Sequence, residues 1–470
     1  MRTAYILAGL ALAGCSGNAS TSSAPSKPKK IANVPSEDTI LDIKYPSEVV
    51  GESKTWYPDK YDRTGEEKLS FTNEPPKARK LEPLSPTTIE VGGAVEDREG
   101  VESMVMHLKS AVRNRPLSIR EFGFGPFGLT SELYGGHTFW DLDCWIVPAM
   151  AFLDPRMLGD YAEYRTHRFR ISNGKIKFPW ESSVSGKEVC LEETRLQEHI
   201  SGDVVWGLTQ AEAFGYADSY DVERIATGVA KYYRSRAVKT ERGLEIQDVV
   251  SPNEKFRGDN DLYTNALAEW LAHGRGWQKT RKYVFPKDKD GFTNYDNDPL
   301  KDYQQAAGLL AIYPLQNPTL EQHAGKMIDR FADKISENGP AMGHSVVATI
   351  RARLGAKGNA YKAWKESWEP YTRNEKLLFS ERRNTSRVYF YTGAAGAINT
   401  VIYGFAGFRV DTKVPAGSVW KKRLEGGYWL SCKPNVPPAL EFVRLKNVLI
   451  LGERYDFQMD SKGGFSVASR

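Results

Sequence analysis

From about residue 87 the chain repeats one texture: stretches with apolar residues at helical spacing, separated by loops carrying Gly, Pro, Asn and Trp. The stretch VEDREGVESMVMHLKSAVRN sets the pattern, with an acidic start followed by an apolar stripe. The same spacing predicts helices around 141–153, 155–168, 191–215, 220–237, 261–273, 302–313, 318–336, 340–354, 358–371 and 393–406, about a dozen in all. No strand pattern alternates with them, which counts against a parallel α/β sheet. Repeated αα-hairpins of this number can form a bundle, an open solenoid or a closed helical barrel. The chain lacks the 34- or 40-residue self-similarity of a repeat solenoid. After about Val410 the period changes. ALEFVRLKNVLILGERYDFQM and GGFSVAS alternate apolar and polar positions between glycine turns, predicting a small antiparallel β module over 411–470.

The first 86 residues read differently. MRTAYILAGLALAGC places Arg2 before an apolar run that ends in small residues at Cys15, a secretory pattern too short to span a bilayer. LAGC resembles the bacterial lipobox. That resemblance implies cleavage before Cys15, lipid on its thiol, and an exported lipoprotein anchored at the cell envelope, on its periplasmic or extracellular face. Residues 16–38 are rich in Ser, Pro and Lys without apolar periodicity and are expected to be a disordered tether. Residues 39–86 are polar and Pro-rich, expected to be irregular or short-stranded, and 87–410 form the helical domain.

Composition narrows the chemistry. A net charge of +5 from 64 basic and 59 acidic residues gives no general attraction to nucleic acid or acidic membranes. Cys144, Cys190 and Cys432 form no C-x-x-C pair and allow one disulfide at most. The seven histidines show no metal-binding spacing, so no metal or other cofactor is expected. With 11 Trp, 23 Tyr and 20 Phe, the chain has aromatic faces to spare for a sugar pocket, although most belong in a core.

Four loop segments set carboxylates beside aromatics or glycines at helix ends. They are GGHTFWDLDCW (135–145), KFPWESSVSGKE (177–188), VVSPNEKFRGDNDLYTN (249–265) and LLFSERRNTSRVYFYTGAAG (377–396). Acetal hydrolysis needs such equipment: one carboxyl kept protonated for the leaving group, another ionised to activate water, and aromatic and polar groups gripping the sugar. Asp143 faces away from Asp141 and is expected to be structural, as is His137. His199 and Asp203, four apart, are expected to pair across one helical turn.

These segments resemble glycoside hydrolase family 65, the family of maltose, kojibiose and trehalose phosphorylases and acid trehalases, and most of all its hydrolase branch. Gly136, His137, Phe139, Trp140 and Asp141 meet G-H-x-F-W-D; FPWESSVSGKE, SPNEKFRGDNDLYTN, GPAM (339–342) and YTGAAGAINTVIYGFAGFRV follow in the family's order. The resemblance implies an (α/α)6 barrel and inverting hydrolysis of an α-linked glucoside. It implies Glu254 as general acid, Glu381 as base, Trp140 and Asp141 holding the glucose, Trp180 and Glu181 in the pocket wall, and Gln305 on the substrate. The family's Lys-Gln pair reads Gln304-Gln305 here, and the acid loop is one residue shorter. Two rivals stand beside hydrolysis: phosphorolysis on the same fold, which Arg382, Arg383, Thr385 and Ser386 would suit, and a carbohydrate-binding lipoprotein without turnover. Oligomeric state is not legible in the sequence.

Overall fold

The computed structural model describes residues 39–42, 77–80, 84–113, 119–128, 133–183, 186–190, 192–254, 256–278 and 282–470. The leader, Cys15 and the tether lie outside these residues, as does most of 39–86. Two strands of that segment, Thr39–Asp42 and Lys77–Lys80, pair antiparallel. Among the described residues no helix is long and apolar enough to cross a membrane.

The chain is mainly helical, and its helices sort by burial into two kinds. One kind is buried nearly all round: the π-helical turn Leu142–Ile146 running into α2 (Val147–Leu153), α4 (His199–Ala213), α6 (Leu262–Ala272), the 3-10 turn Ala307–Ala311, α8 (Gly343–Arg353), and α10 (Tyr391–Asn399) with its π-helical extension Thr400–Phe405. The other kind keeps one face in solvent: α1 (Val95–Arg113), α3 (Met157–His167), α5 (Ser219–Arg236), the short Pro318–Glu321 and α7 (Ala324–Phe331), and α9 (Lys357–Trp368). The two kinds alternate along the chain, except between α6 and 307–311, where the small hairpin Lys287–Asp288/Gly291–Phe292 stands in for a helix. Among the buried segments, 142–146 touches α4, α4 touches α6, α6 touches 307–311, then α8, then α10, and α10 touches 142–146 again. The inner segments therefore close a ring. A helix buried on every side must be apolar or internally paired on every side. That explains the Ala, Gly and Thr of VVATI, YTGAAGAIN and SGDVVWGLT.

Several expected helices are broken for identifiable reasons. The predicted helix over 302–313 survives only as the turn 307–311. Tyr303 spends its backbone on a bridge, donating N–H to Lys334 O (2.7 Å) and accepting from Ser336 N–H (2.7 Å). The segment before 307 is thereby held out of helix. The region 191–215 divides into a 3-10 turn, Glu192–Leu196, and α4, whose first turn is tied by the Tyr233 hydroxyl: it accepts from Gly202 N–H (2.9 Å) and donates to Glu198 O (2.8 Å). The region 318–336 divides at Gln322–His323. The loops between helices also hold two- and three-residue antiparallel ladders that no period-2 pattern announced, such as Val249–Val250 with Arg257–Gly258 and Thr372–Arg373 with Leu378–Phe379.

The β module has two sheets. In one, β2 (Phe408–Asp411), β4 (Trp429–Cys432) and β3 (Trp420–Arg423) lie in that order. In the other, β7 (Phe465–Ser469), β6 (Glu453–Asp460) and β5 (Phe442–Ile450) are joined by β1 (Thr88–Val91). Residues 88–91, expected in the helical domain, are thus a strand of the C-terminal sheet, with Val91 opposite Val443 and Ile89 opposite Leu445. A bulge between Leu445 and Val448 adds one residue to β5, so Val443 and Leu445 before it and Val448 and Ile450 after it all face inward. Phe408 fastens the module to the ring: its ring lies 4.9 Å from that of Phe152 on α2 and 5.0 Å from that of Phe457 on β6. Cys144, Cys190 and Cys432 are all buried, and none of them forms a disulfide among the described residues.

Candidate active site

The predicted site residues sit in the loops that lead into the inner segments: Asp141 before 142–146, Glu254 before α6, Gln304 and Gln305 before 307–311, and Glu381 before α10. Entering a ring of helices from their N-termini collects these loops at one place.

Glu254 ends a tight turn. Its N–H donates to Ser251 O (2.8 Å), and Asn253 N–H donates to Ser251 Oγ (3.3 Å). Its φ of +61° is the left-handed region a side chain enters at a cost. The next helix starts cleanly because Asp261 caps it, accepting from the N–H and hydroxyl of Thr264, both at 2.7 Å. The Glu254 carboxylate accepts from Gln304 Nε2 at Oε2 (3.2 Å) and Gln305 Nε2 at Oε1 (3.4 Å). The bridged, non-helical backbone at Tyr303 is what frees these neighbouring amides to reach the same acid.

Glu381 is buried, 8% exposed, and its backbone O accepts from Ala341 N–H (2.8 Å), which ties GPAM to the second acid loop. Tyr134 Oη donates to Glu381 Oε1 (3.0 Å), and Arg382 Nε lies 3.8 Å from the same oxygen. Asp141 is buried and accepts from Thr392 Oγ1 on α10 (2.6 Å).

Three carboxyls share this place, and each is held above its ordinary range. Burial pushes Glu254 up to about 8, reinforced by the charges of Asp141 and Glu381 and opposed by Arg382 and the Gln305 hydrogen bond. Burial likewise lifts Asp141 to about 7, with Thr392 opposing and Glu381 adding to the rise. Glu381 is raised by burial, but Arg382, the Tyr134 hydrogen bond and Arg387 all pull it back. Arg382, Arg387 and the phenol all act on Glu381, while Glu254 is hydrogen-bonded by neutral amides and faces like charges, with Arg382 opposing them. The two environments therefore differ in kind: Glu254 is set to keep its proton near neutrality, and the charged form of Glu381 has a donor and two cations in its favour against burial.

The remaining predicted residues fall into two groups. Trp180 is half-buried, edge-on to Phe139 (5.0 Å), which is in turn edge-on to Tyr134 (5.1 Å), so it belongs to the wall around the acids. Glu181 is buried and paired with His137 Nδ1 (2.7 Å). Trp140 is core: it is 1% exposed, with Trp145 and His199 edge-on, both at 4.7 Å. It supports the segment carrying Asp141 and offers no open face. Beyond it lie Asp143, expected to be structural and here ion-paired with Arg165 (2.5 Å), and the expected pair of His199 Nδ1 with Asp203 (2.7 Å).

Sequence reading missed two residues and the task of a third. Tyr134 carried no signal beyond adjacency to GGH, and Thr392 none beyond its place in the YTG motif. Glu188, the last residue of FPWESSVSGKE, is a clamp: it accepts the N–H groups of Trp180 (2.7 Å), Glu181 (3.1 Å) and Cys190 (3.4 Å) and so fixes the wall loop. Around the acids, Trp180 Nε1, Glu181 Oε2, Asn253 Nδ2 and Gln305 Oε1 are buried polar atoms without a hydrogen-bond partner among the described residues. Donors and acceptors of that kind suit a hydroxyl-rich ligand. Among the described residues no group of His, Cys, Asp and Glu is arranged to hold a metal ion.

Residues 104–289 match the model of the glycosyl hydrolase family 65 central catalytic domain. The chain is 28% identical over 355 residues to the kojibiose hydrolase of Flavobacterium johnsoniae, covering 69% of this chain and 52% of that protein. It is 27% identical over 369 residues to the protein-glucosylgalactosylhydroxylysine glucosidase of Gallus gallus, covering 68% and 51%. The chain thus spans about half the length of these curated relatives. A solved structure described as a candidate kojibiose phosphorylase from human microbiome superposes with a TM-score of 0.57 at 15% identity, over 82% of this chain and 60% of that one. At that identity the likeness speaks for the fold.

Proposed function

We propose, on the premise that this chain belongs to glycosyl hydrolase family 65, that it hydrolyses an α-linked glucoside with inversion, Glu254 serving as acid and Glu381 as base. The observation that carries this is two buried glutamates from distant loops within reach of each other's charge: Glu254 is pushed up to about 8, while at Glu381, which burial also raises, Arg382, Tyr134 and Arg387 favour the charged form. In the reaction Glu254 gives its proton to the glycosidic oxygen as the bond from that oxygen to the sugar's anomeric carbon breaks. Water attacks the same carbon from the opposite face, and Glu381 takes the proton that water loses. Inversion calls for carboxyls about 6.5–9.5 Å apart, room for the water between them. Asp141, the amides of Gln304 and Gln305, and the unpartnered atoms of Trp180 and Glu181 are the groups placed to hold sugar hydroxyls.

The fold belonging to this reading is an (α/α)6 barrel. Its support is the closed ring of six inner segments with solvent-faced helices alternating along the chain. The substrate class follows the relatives, whose names specify kojibiose and glucosylgalactosylhydroxylysine. The leader reading completes the proposal: export, cleavage before Cys15 and lipidation of its thiol would hold the enzyme at the envelope. Loss of membrane fractionation in Cys15→Ala tests that part.

A panel of α-linked glucose disaccharides, with and without inorganic phosphate, tests the reaction. Proton NMR of the first turnovers should show β-glucose released without phosphate. Phosphate-dependent β-glucose 1-phosphate would establish phosphorolysis instead, and binding without turnover would leave a carbohydrate-binding protein.

A further inference from the structure

Among the described residues, Tyr134 is the one whose hydroxyl touches the expected base while its ring belongs to the pocket wall. It sits in a single 3-10 turn, Leu133–Gly136, with φ of +62°. Its ring is held by Phe139, edge-on at 5.1 Å, and by Phe127 at 6.1 Å. From that strained, clamped position its hydroxyl donates to Glu381 Oε1. Among the described residues no hydrogen bond is directed at Glu381 Oε2.

The geometry points to Tyr134 as the positioning residue of the base, occupying Oε1 so that Oε2 is the atom that receives the proton of the attacking water. This inference rests on the hydrolytic reading of Glu254 and Glu381. A carboxylate buried without a donor would swing between rotamers and tend to protonate. A fixed phenol prevents both by holding one oxygen in place and favouring the ionised form. The phenol itself cannot compete as a base. It is half-buried and faces the charges of Glu381, Asp141 and Glu254, and its partial burial and these charges keep its proton on. It therefore acts only as a donor. The groups facing Glu381 are thus Tyr134, Arg382 and Arg387, with Asp141 and Glu254 across from them. Of these, Tyr134 is the one that both touches Glu381 and is locked by packing.

Tyr134→Phe keeps the ring and its contacts with Phe127 and Phe139 and removes only the hydroxyl. On the disaccharide that the wild type turns over fastest, kcat should fall about 10- to 100-fold, the loss expected for one hydrogen bond to a charged group. KM should stay within about threefold, because the lost bond contacts the base and not the sugar. The acidic limb of the kcat/KM profile should move to higher pH, because Glu381 loses a donor that favours its charge. A purely structural tyrosine predicts an unchanged limb and unchanged kcat in the Phe variant, and that result overturns the inference while leaving the hydrolytic reading intact. A wild type that releases no glucose from any α-linked disaccharide overturns the hydrolytic reading and the inference with it. Thermal unfolding of Tyr134→Phe alongside wild type shows whether a loss of rate reflects loss of fold; a folded variant with lowered kcat and a shifted limb is the expected outcome.

Discussion

Gln304 Nε2 lies 3.2 Å from Glu254 Oε2, a hydrogen bond between residues 50 positions apart that gives the expected acid a neutral neighbour in place of a cation. An amide can steady a carboxyl without forcing it to ionise, which is the condition a proton donor needs near neutral pH. Replacing that neighbour by a charge is therefore informative. Gln304→Lys should lower the affinity of Glu254 for its proton, moving the alkaline limb of kcat/KM down by about 1–3 pH units. A pH–rate series on the two proteins checks it, and an unmoved limb would detach Glu254 from the acid role.

Glu254→Gln preserves shape and hydrogen bonding but has no proton to give. Turnover should fall by about 10²–10⁴-fold while disaccharide binding, measured by calorimetry, survives. Equal turnover in the variant would refute the assignment outright.

The buried carboxyls should also write themselves into stability. Glu254 has an ordinary value of 4.5 and a folded value of about 8, so the folded protein holds this proton more tightly between those limits. Its contribution to stability is fully present below 4.5 and is lost as pH rises through about 8. Asp141, lifted from 3.8 to about 7, acts in the same direction. Unfolding midpoints should therefore fall between about pH 4 and 8, and Glu254→Gln, which cannot ionise, should flatten that fall and melt higher than wild type at about pH 9. A variant as pH-sensitive as wild type would mean that Glu254 is not buried in this way.

Asp143 and Arg165 are both fully buried, and Arg165 also donates to Phe139 O (3.2 Å), in the segment that carries Asp141. Arg165→Leu leaves the Asp143 charge without its partner and should cost about 3–5 kcal/mol of folding free energy. Urea unfolding measures this, and a loss below about 1 kcal/mol would show that Asp143 simply takes up a proton.

The legible and illegible parts of this molecule divide by the range of the interaction that makes them. Helices such as 219–236 and 262–272 were readable because their period is written in neighbouring residues, and the His199–Asp203 pair because four positions span one turn. The straightening of 302–306 was not, since its cause is a bridge to residues 334–336. Nor was strand 88–91, whose partner lies at 443–446. Trp140 and Trp180 look alike in sequence, each beside an acid. Burial alone separates them, the first sealed between Trp145 and His199 and the second standing at the wall.

By itself the sequence determined that the chain is mainly helical with small antiparallel sheets and singled out Glu254 and Glu381 as candidates, because helical periodicity and motif residues are local properties of the chain. What surrounds each of them was decided by the tertiary structure. Protonation depends on dehydration and on the charges nearby, and those neighbours reach Glu254 and Glu381 only when the inner segments close into a ring and bring separate loops together.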